Sequence, residues 1–297
     1  MLLSASPERY LRSDLMEDLR ERVLVLLTKA KAAYGYDDSV VERELAKALD
    51  PNWQTNLLTF TSSLLQQPSY WETPRAVLEV GCGSGSFVTA AVKQGQDAWG
   101  VDNDTDRLAI GNARIDAFGW DPSLKERLIY GDASATNFEP NRFDVVLGHQ
   151  FIEHVPDPAG TISELLRITK PGGYVVLFAP DYRGPFEAHY EIPWPPFLSR
   201  ELCKSWLDGF NRPYAGLEQF YYTTVNQVVS YFEPLNCRIV TAYNDRKIEA
   251  QVMRHFDCST RQATFECARK FSAAFQARQL PENFMIATSF GVIAQKL

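Results

Sequence analysis

Residues 78 to 87 read LEVGCGSGSF. A short apolar run carrying one carboxylate, Glu79, leads into glycines at every second position, Gly81, Gly83 and Gly85. The apolar run predicts a buried strand and the residues after Gly85 predict a helix, so the glycines fall in the turn between them. Glycine adopts φ > 0 readily and has no Cβ, which lets a ligand lie directly against the main chain. In an open α/β sheet, that turn sits where ligands bind, beyond the carboxyl ends of the strands.

Working outward, apolar runs of β character recur at 76–80 (AVLEV), 97–102 (DAWGVD), 126–132 (ERLIYGD), 143–148 (FDVVLG) and 173–180 (GYVVLFAP). Helical patterns fall between several of them, around 86–94, 104–117 and 158–169. Such alternation predicts a mostly parallel sheet with helices on both faces. In KPGG, Lys170 suits a helix C-terminus, Pro171 stops the helix and the glycines turn the chain. Ahead of this core, Leu11, Leu15, Leu19, Val23 and Leu26 recur at helical spacing over 7–33. Further helices are expected at 38–48, capped by Asp38 or Ser39, and at 54–66. After Pro180 the alternation breaks into an aromatic stretch punctuated by proline, 182–222, and then resumes. A helix is expected at 224–232, a strand at 237–243, a helical stretch at 247–278 and a closing strand at 289–295. The domain reading is therefore a helical cap (1–68), a cofactor-binding core (69–181), an insertion or lid (182–222) and the end of the core sheet (223–297).

The loop's details select the ligand. A dinucleotide fingerprint needs its third glycine at position 86, which is Ser86. The phosphate loop G-x-x-x-x-G-K-[ST] is absent, because no lysine follows. Glu79 would repel a pyrophosphate but suits a cofactor with cationic groups. E-x-G-x-G-x-G, spelled Glu79-Val80-Gly81-Cys82-Gly83-Ser84-Gly85, resembles motif I of the class I S-adenosylmethionine-dependent methyltransferases, and further stretches keep register behind it. In GVDND, Asp102, with Asn103 beside it, matches the acidic position on the ribose hydroxyls. In YGDAS, Asp132 and Ala133 match the positions flanking adenine. FDVVLGHQFIEHVPDP resembles the fourth strand and its loop, and KPGGYVVLFAPD resembles the lead-in to the fifth. The resemblance covers 76–181 and is strongest to the ubiquinone/menaquinone-biosynthesis type and similar small-molecule enzymes. It implies S-adenosyl-L-methionine as cofactor, S-adenosyl-L-homocysteine as product, and a Rossmann-like seven-stranded sheet of order 3-2-1-4-5-7-6 with the last strand antiparallel. It also places His149 and Gln150 at the tip of the fourth strand, beside the methionine part of the cofactor and the acceptor.

The bulk numbers bound the partners. The chain has 297 residues and a net charge of −7, with no Lys/Arg run, a poor composition for sequence-independent binding to nucleic acid. Five scattered cysteines without a C-x-x-C pair argue against a disulfide framework or a cysteine zinc site. No basic segment followed by an apolar stretch opens the chain, and no apolar run approaches the roughly 20 residues that span a bilayer. The expectation is a cytoplasmic protein without stable membrane insertion, acting on a small-molecule or glycan-type acceptor, with a homodimer as one arrangement of the insertion.

Methyl transfer to a hydroxyl profits from a general base. His149, His154, Asp181 and His189 are the candidates near the expected site, with His149 and His189 favoured by position. HQFIEH is not read as a metal motif: His149 and His154 are five apart, which misaligns them on a helix face. Glu153 and His154 are instead expected to fix their loop through hydrogen bonds. The aromatic insertion is expected to line an apolar acceptor pocket as a lid, with a core or dimer flap as the alternative. The functional reading is O-methylation of a small-molecule or sugar-containing acceptor. C- or N-methylation, a nicotinamide oxidoreductase and a non-catalytic cofactor-binding subunit stand as alternatives.

Overall fold

The computed structural model describes residues 7–54, 56–65, 67–195, 198–244, 260–277 and 289–297. Three helices come first, α1 (Pro7–Tyr34), α2 (Asp38–Ala48) and α3 (Leu57–Leu64). Then β1 (Ala76–Val80), α4 (Ser86–Lys93), β2 (Asp97–Asp102), α5 (Thr105–Ala117), β3 (Leu128–Tyr130), β4 (Phe143–His149), α6 (Pro158–Ile168) and β5 (Thr169–Pro180) alternate. A two-stranded hairpin, β6 (Phe186–Glu187) and β7 (Ile192–Pro193), is followed by α7 (Arg200–Gly209), α8 (Val225–Phe232), β8 (Cys237–Asn244), α9 (Arg261–Gln276) and β9 (Ser289–Lys296). The residues of 247–278 that precede 260 lie outside the described residues, as do Thr55 and Gln66 within the expected third helix.

Seven strands form one sheet in the order β3-β2-β1-β4-β5-β9-β8. Counted without the small hairpin, this is the expected 3-2-1-4-5-7-6. Pairings from β3 through β5 are parallel, and β9 runs antiparallel to both β5 and β8. The sheet order reverses between β1 and β4, which fixes the switch point at the end of β1, where the glycine loop begins.

Alternation along the strands divides the core between two sheet faces. Leu78, Val80, Val146, Val175 and Leu177 face Ile162, Leu165, Val228 and Phe232 of α6 and α8. Val77, Val145, Leu147 and Val176 face Phe87, Val88 and Ala91 of α4, and Leu57 and Leu58 of α3 join them. The N-terminal helices are thus built into the fold. Leu19, Val23 and Leu27 of α1 pack on Ile110, Ala113 and Ala117 of α5. The insertion carries a further core: Tyr182, Tyr190, Trp194, Trp206 and Phe220 pack with Tyr34 of α1 and Phe271 of α9.

Two local expectations are corrected. The cap of α2 is Asp37, whose carboxylate accepts from Val40 N at 3.0 Å. Lys170 does not serve a helix end. Its Nζ pairs with Asp144 Oδ2 at 2.9 Å, and the same oxygen accepts from Ala76 N at 2.8 Å. Thr169 already pairs with Phe143, and the register shifts before Tyr174 meets Val145, so KPGG forms an irregularity within β5. Among the described residues, no helix is long and apolar enough to cross a membrane.

Candidate active site

The glycine loop leaves β1 with three residues in the left-handed region, Gly81 (φ 65°), Gly83 (φ 53°) and Gly85 (φ 65°). Two also need the missing side chain. A Cβ on Gly81 would stand 2.7 Å from the Phe151 ring, and one on Gly85 would stand 2.4 Å from Leu128 Cδ2. Asp102, at the end of β2, accepts from Gly83 N at 2.7 Å with Oδ2 and from Asp104 N at 2.8 Å with Oδ1. It ties the loop to the neighbouring strand while keeping lone pairs for a hydroxyl.

Glu79 is 3% exposed, and its Oε2 has no hydrogen-bond partner. Burial, and after it the charge of Asp102, push its carboxyl well above the usual range. A buried carboxylate oxygen without a donor costs free energy unless a cation or donor meets it. Beside a glycine turn open to a ligand, it fits a cationic group and not a phosphate. Cys82 is buried, and Gly100 leaves the room for it: a Cβ there would lie 2.7 Å from its Sγ. Of the remaining expected cofactor residues, Asn103 and Asp132 are exposed and Ala133 is buried. Asp132 Oδ1 accepts from Ser134 N and Oγ, both at 2.8 Å, and these bonds hold its carboxyl below the usual range.

Next to this loop lies a cavity of about 610 Å³. Helix α2 supplies Val40, Arg43, Glu44 and Lys47, with Tyr36 preceding it; α5 supplies Arg107; the hairpin tip supplies Ala188, His189 and Glu191; and the segment after β4 supplies Gln150 and His154. Arg107 joins cavity and loop, its Nη1 lying 3.9 Å from where a Gly83 Cβ would stand. Gln150 is held at the β4 tip in the left-handed region (φ 54°), its N–H donating to Phe178 O at 2.8 Å. The lining of this cavity is polar and charged, unlike the apolar walls expected of an acceptor pocket under the aromatic insertion. The large rings fill their own core, and only the hairpin tip reaches the cavity.

At that wall the fold brings together residues far apart in sequence. His189 Nδ1 donates to Glu187 Oε1 at 2.7 Å, and the ring is stacked between Tyr34 and Phe220, with centroids at 5.7 and 5.2 Å. Glu187 is fully buried and also accepts from Tyr182 OH (3.1 Å) and Tyr190 N (2.6 Å). Burial opposes charge on His189, but Glu187 outweighs it and raises the imidazole's pKa. His154 Nδ1 donates to Gln219 O at 2.6 Å, leaving its Nε2 3.4 Å from His189 Nε2. Burial lowers His154 to about 4. Glu153 is fully buried, and neither carboxylate oxygen has a hydrogen-bond partner; burial raises it to about 7. His154 therefore does fix its loop, whereas the Glu153 side chain does not. That residue contributes only its carbonyl, which accepts from Tyr221 N at 2.6 Å.

Residues 78–177 match the family model described as a methyltransferase domain. Over that stretch the chain is similar to a methyltransferase domain. The chain is 33% identical over 141 residues to a ubiquinone biosynthesis O-methyltransferase of Alkalilimnicola ehrlichii, an alignment covering 47% of this chain and 56% of the relative. It is 38% identical over 101 residues to the protein of that name from Methylococcus capsulatus, covering 34% and 41%. The chain thus spans about half the length of the curated relatives it matches. A methyltransferase candidate of solved structure from Bacillus halodurans shares the fold at a TM-score of 0.50 and 17% identity, over 79% of this chain and 97% of that one.

The fold separates the expected base candidates. His154 and His189 meet at the cavity wall. His149 stays at the β4 tip, its ring edge-on to Phe178 at 6.0 Å, outside the cavity lining, and burial lowers its pKa. Asp181 is buried and ion-paired with Arg183 at 2.6 Å, which engages it away from the cavity. Glu187 and the α2 cations Arg43 and Lys47 escaped the sequence reading. The sequence marks 38–48 only as a helix, and Glu187 acquires its role through contacts with His189 and Tyr190 in the hairpin.

Proposed function

We propose that this protein transfers a methyl group from S-adenosyl-L-methionine to an oxygen of a small polar or sugar-containing acceptor, releasing S-adenosyl-L-homocysteine. The observation that carries the reading is the buried, unpartnered oxygen of Glu79 beside three left-handed glycines. The main chain at Gly81, Cys82, Gly83 and Gly85 would lie along the cofactor, with Glu79 toward its cationic end. Asp102 and Asn103 would take the ribose hydroxyls, Asp132 and Ala133 the adenine, and His149 and Gln150 the methionine side. The bound cofactor supplies an activated methyl on a cationic sulfur.

What the chain supplies is alignment. Holding two reactants in line is worth roughly 7 to 11 kcal/mol at best. The acceptor oxygen forms a bond to the methyl carbon as the carbon–sulfur bond breaks, and the acceptor's proton must leave. While their Nε2 atoms are free, His154 and His189 on the cavity wall are the candidates to take up that proton; with an ion bound between them, an oxygen ligand of the ion would take that part. The polar lining, with Arg43, Lys47 and Arg107 against Glu44 and Glu191, suits a hydroxylated acceptor better than a long apolar tail. The names of the Alkalilimnicola and Methylococcus relatives support oxygen as the target atom. A nicotinamide reading places a pyrophosphate against Glu79, which electrostatics disfavours.

Incubation with methyl-labelled S-adenosyl-L-methionine and a panel of hydroxylated metabolites tests this. Label is expected on an oxygen of a polar acceptor. Label only on carbon or nitrogen, or only on apolar acceptors, would overturn the acceptor assignment.

A further inference from the structure

Glu153, His154 and His189 present ligand atoms within 4.8 Å of one another. Each histidine is fixed through its Nδ1–H, His154 by the Gln219 carbonyl and His189 by the Glu187 carboxylate. Those bonds leave Nε2 as the atom each ring turns to the other, at 3.4 Å. Two neutral imidazoles in these tautomers would face lone pair to lone pair. An N–H shared between them would span more than the usual ~2.7–3.2 Å for a donor nitrogen. Beside them, Glu153 keeps a fully buried carboxylate whose two oxygens no donor reaches, with Oε1 3.9 Å from His154 Nε2.

One kind of ligand resolves all three features. A tetrahedral zinc-like ion, with metal–nitrogen bonds of about 2.0–2.1 Å, sets its two nitrogens about 3.3 Å apart. Histidines that bind such ions hand their other N–H to a carboxylate or backbone carbonyl, the two arrangements seen here. Two imidazoles and one carboxylate are a donor set for zinc or a related first-row divalent ion.

We infer that Glu153, His154 and His189 form a divalent transition-metal site, with His189 oriented by Glu187 and His154 by the Gln219 carbonyl. Its three protein ligands leave a fourth position. His154 and His189 line the cavity, so that position faces it and takes water or an oxygen donor. Arg107, on the same wall, repels a cation; the carboxylates of Glu153 and Glu187 offset it. The site does not rest on the methyl-transfer reading. Only the identity of an oxygen ligand in the fourth position would.

The test uses the full chain, stripped with a chelator and dialysed, titrated calorimetrically with zinc chloride. A parallel titration with cobalt(II) chloride is followed by visible absorption. One ion per chain is expected, with the d–d bands of low-coordinate cobalt. His154→Ala and His189→Ala should each weaken zinc by at least about 100-fold, and Glu153→Gln by about 10-fold or more. Loss of the orienting carboxylate in Glu187→Gln should cost about 10–100-fold. Circular dichroism shows which variants fold. Should the histidine variants fail to fold, the Nε2 resonances of His154 and His189 in wild-type protein carry the test, since zinc must shift both. Wild-type protein that binds neither ion, zinc binding undiminished in folded His189→Ala, or unmoved resonances overturns the site. A proton-sharing histidine pair would then explain the contact. S-adenosyl-L-methionine affinity, measured in the same samples, separates failure of this site from failure of the methyl-transfer reading.

Discussion

Glu79 is the residue on which the cofactor assignment turns. Its pKa in the folded protein lies above the unfolded value of about 4.3. The folded state therefore holds the proton more tightly. The stability this gives is present below about pH 4.3 and is lost as pH rises through the raised value. Wild-type protein without cofactor should accordingly lose stability relative to Glu79→Gln as pH climbs from about 4.3, in urea melts at a series of pH values. A constant difference across that range would contradict the buried, uncompensated carboxyl. The same substitution should weaken S-adenosyl-L-methionine binding by about 10-fold or more, since it removes a charge-assisted partner. Gly85→Ala should cost at least about 1–2 kcal/mol, because a left-handed φ is imposed on a residue with a Cβ. Leu128 must also move. Thermal melts measure this, and an unchanged midpoint would mean the loop can relax.

At the level of elements, periodicity made the sheet legible. Strands fully buried between helix layers show as apolar runs, and their order follows from the resemblance of five stretches in register. The insertion was not legible in the same way. Its aromatic residues have no single period, and nothing local tells a lid from a core. Only the contacts with Tyr34 of α1 and Phe271 of α9 show what its rings pack against. For the same reason His154 could not be matched with His189, 35 positions on, when sequence spacing offered only His149 five positions back. Trp206 is fully buried in that core, with Nε1 donating to Pro193 O at 2.7 Å. Trp206→Ala should destabilise by about 3–5 kcal/mol in denaturant titrations. A loss below about 1 kcal/mol would mean that the insertion is a loosely attached flap.

Across the whole molecule, the N-terminal helices, the parallel core and the insertion converge on one cavity. Arg43 of α2 pairs with Glu191 of the hairpin across its rim, and Arg107 of the core reaches the glycine loop from within it. On the proposed reading, cofactor seat and acceptor space would be contributed by different parts of the chain. Lys47→Ala should raise KM for the acceptor several-fold while leaving cofactor affinity unchanged, in steady-state kinetics and calorimetry on one preparation. An unchanged KM would place the acceptor elsewhere. The account as a whole depends on which ligand the glycine loop seats. Calorimetric titration of the full chain with S-adenosyl-L-methionine, S-adenosyl-L-homocysteine and NADH decides that. The account predicts saturable one-to-one binding of the first two and none of NADH. Micromolar binding of NADH with neither of the others would contradict it.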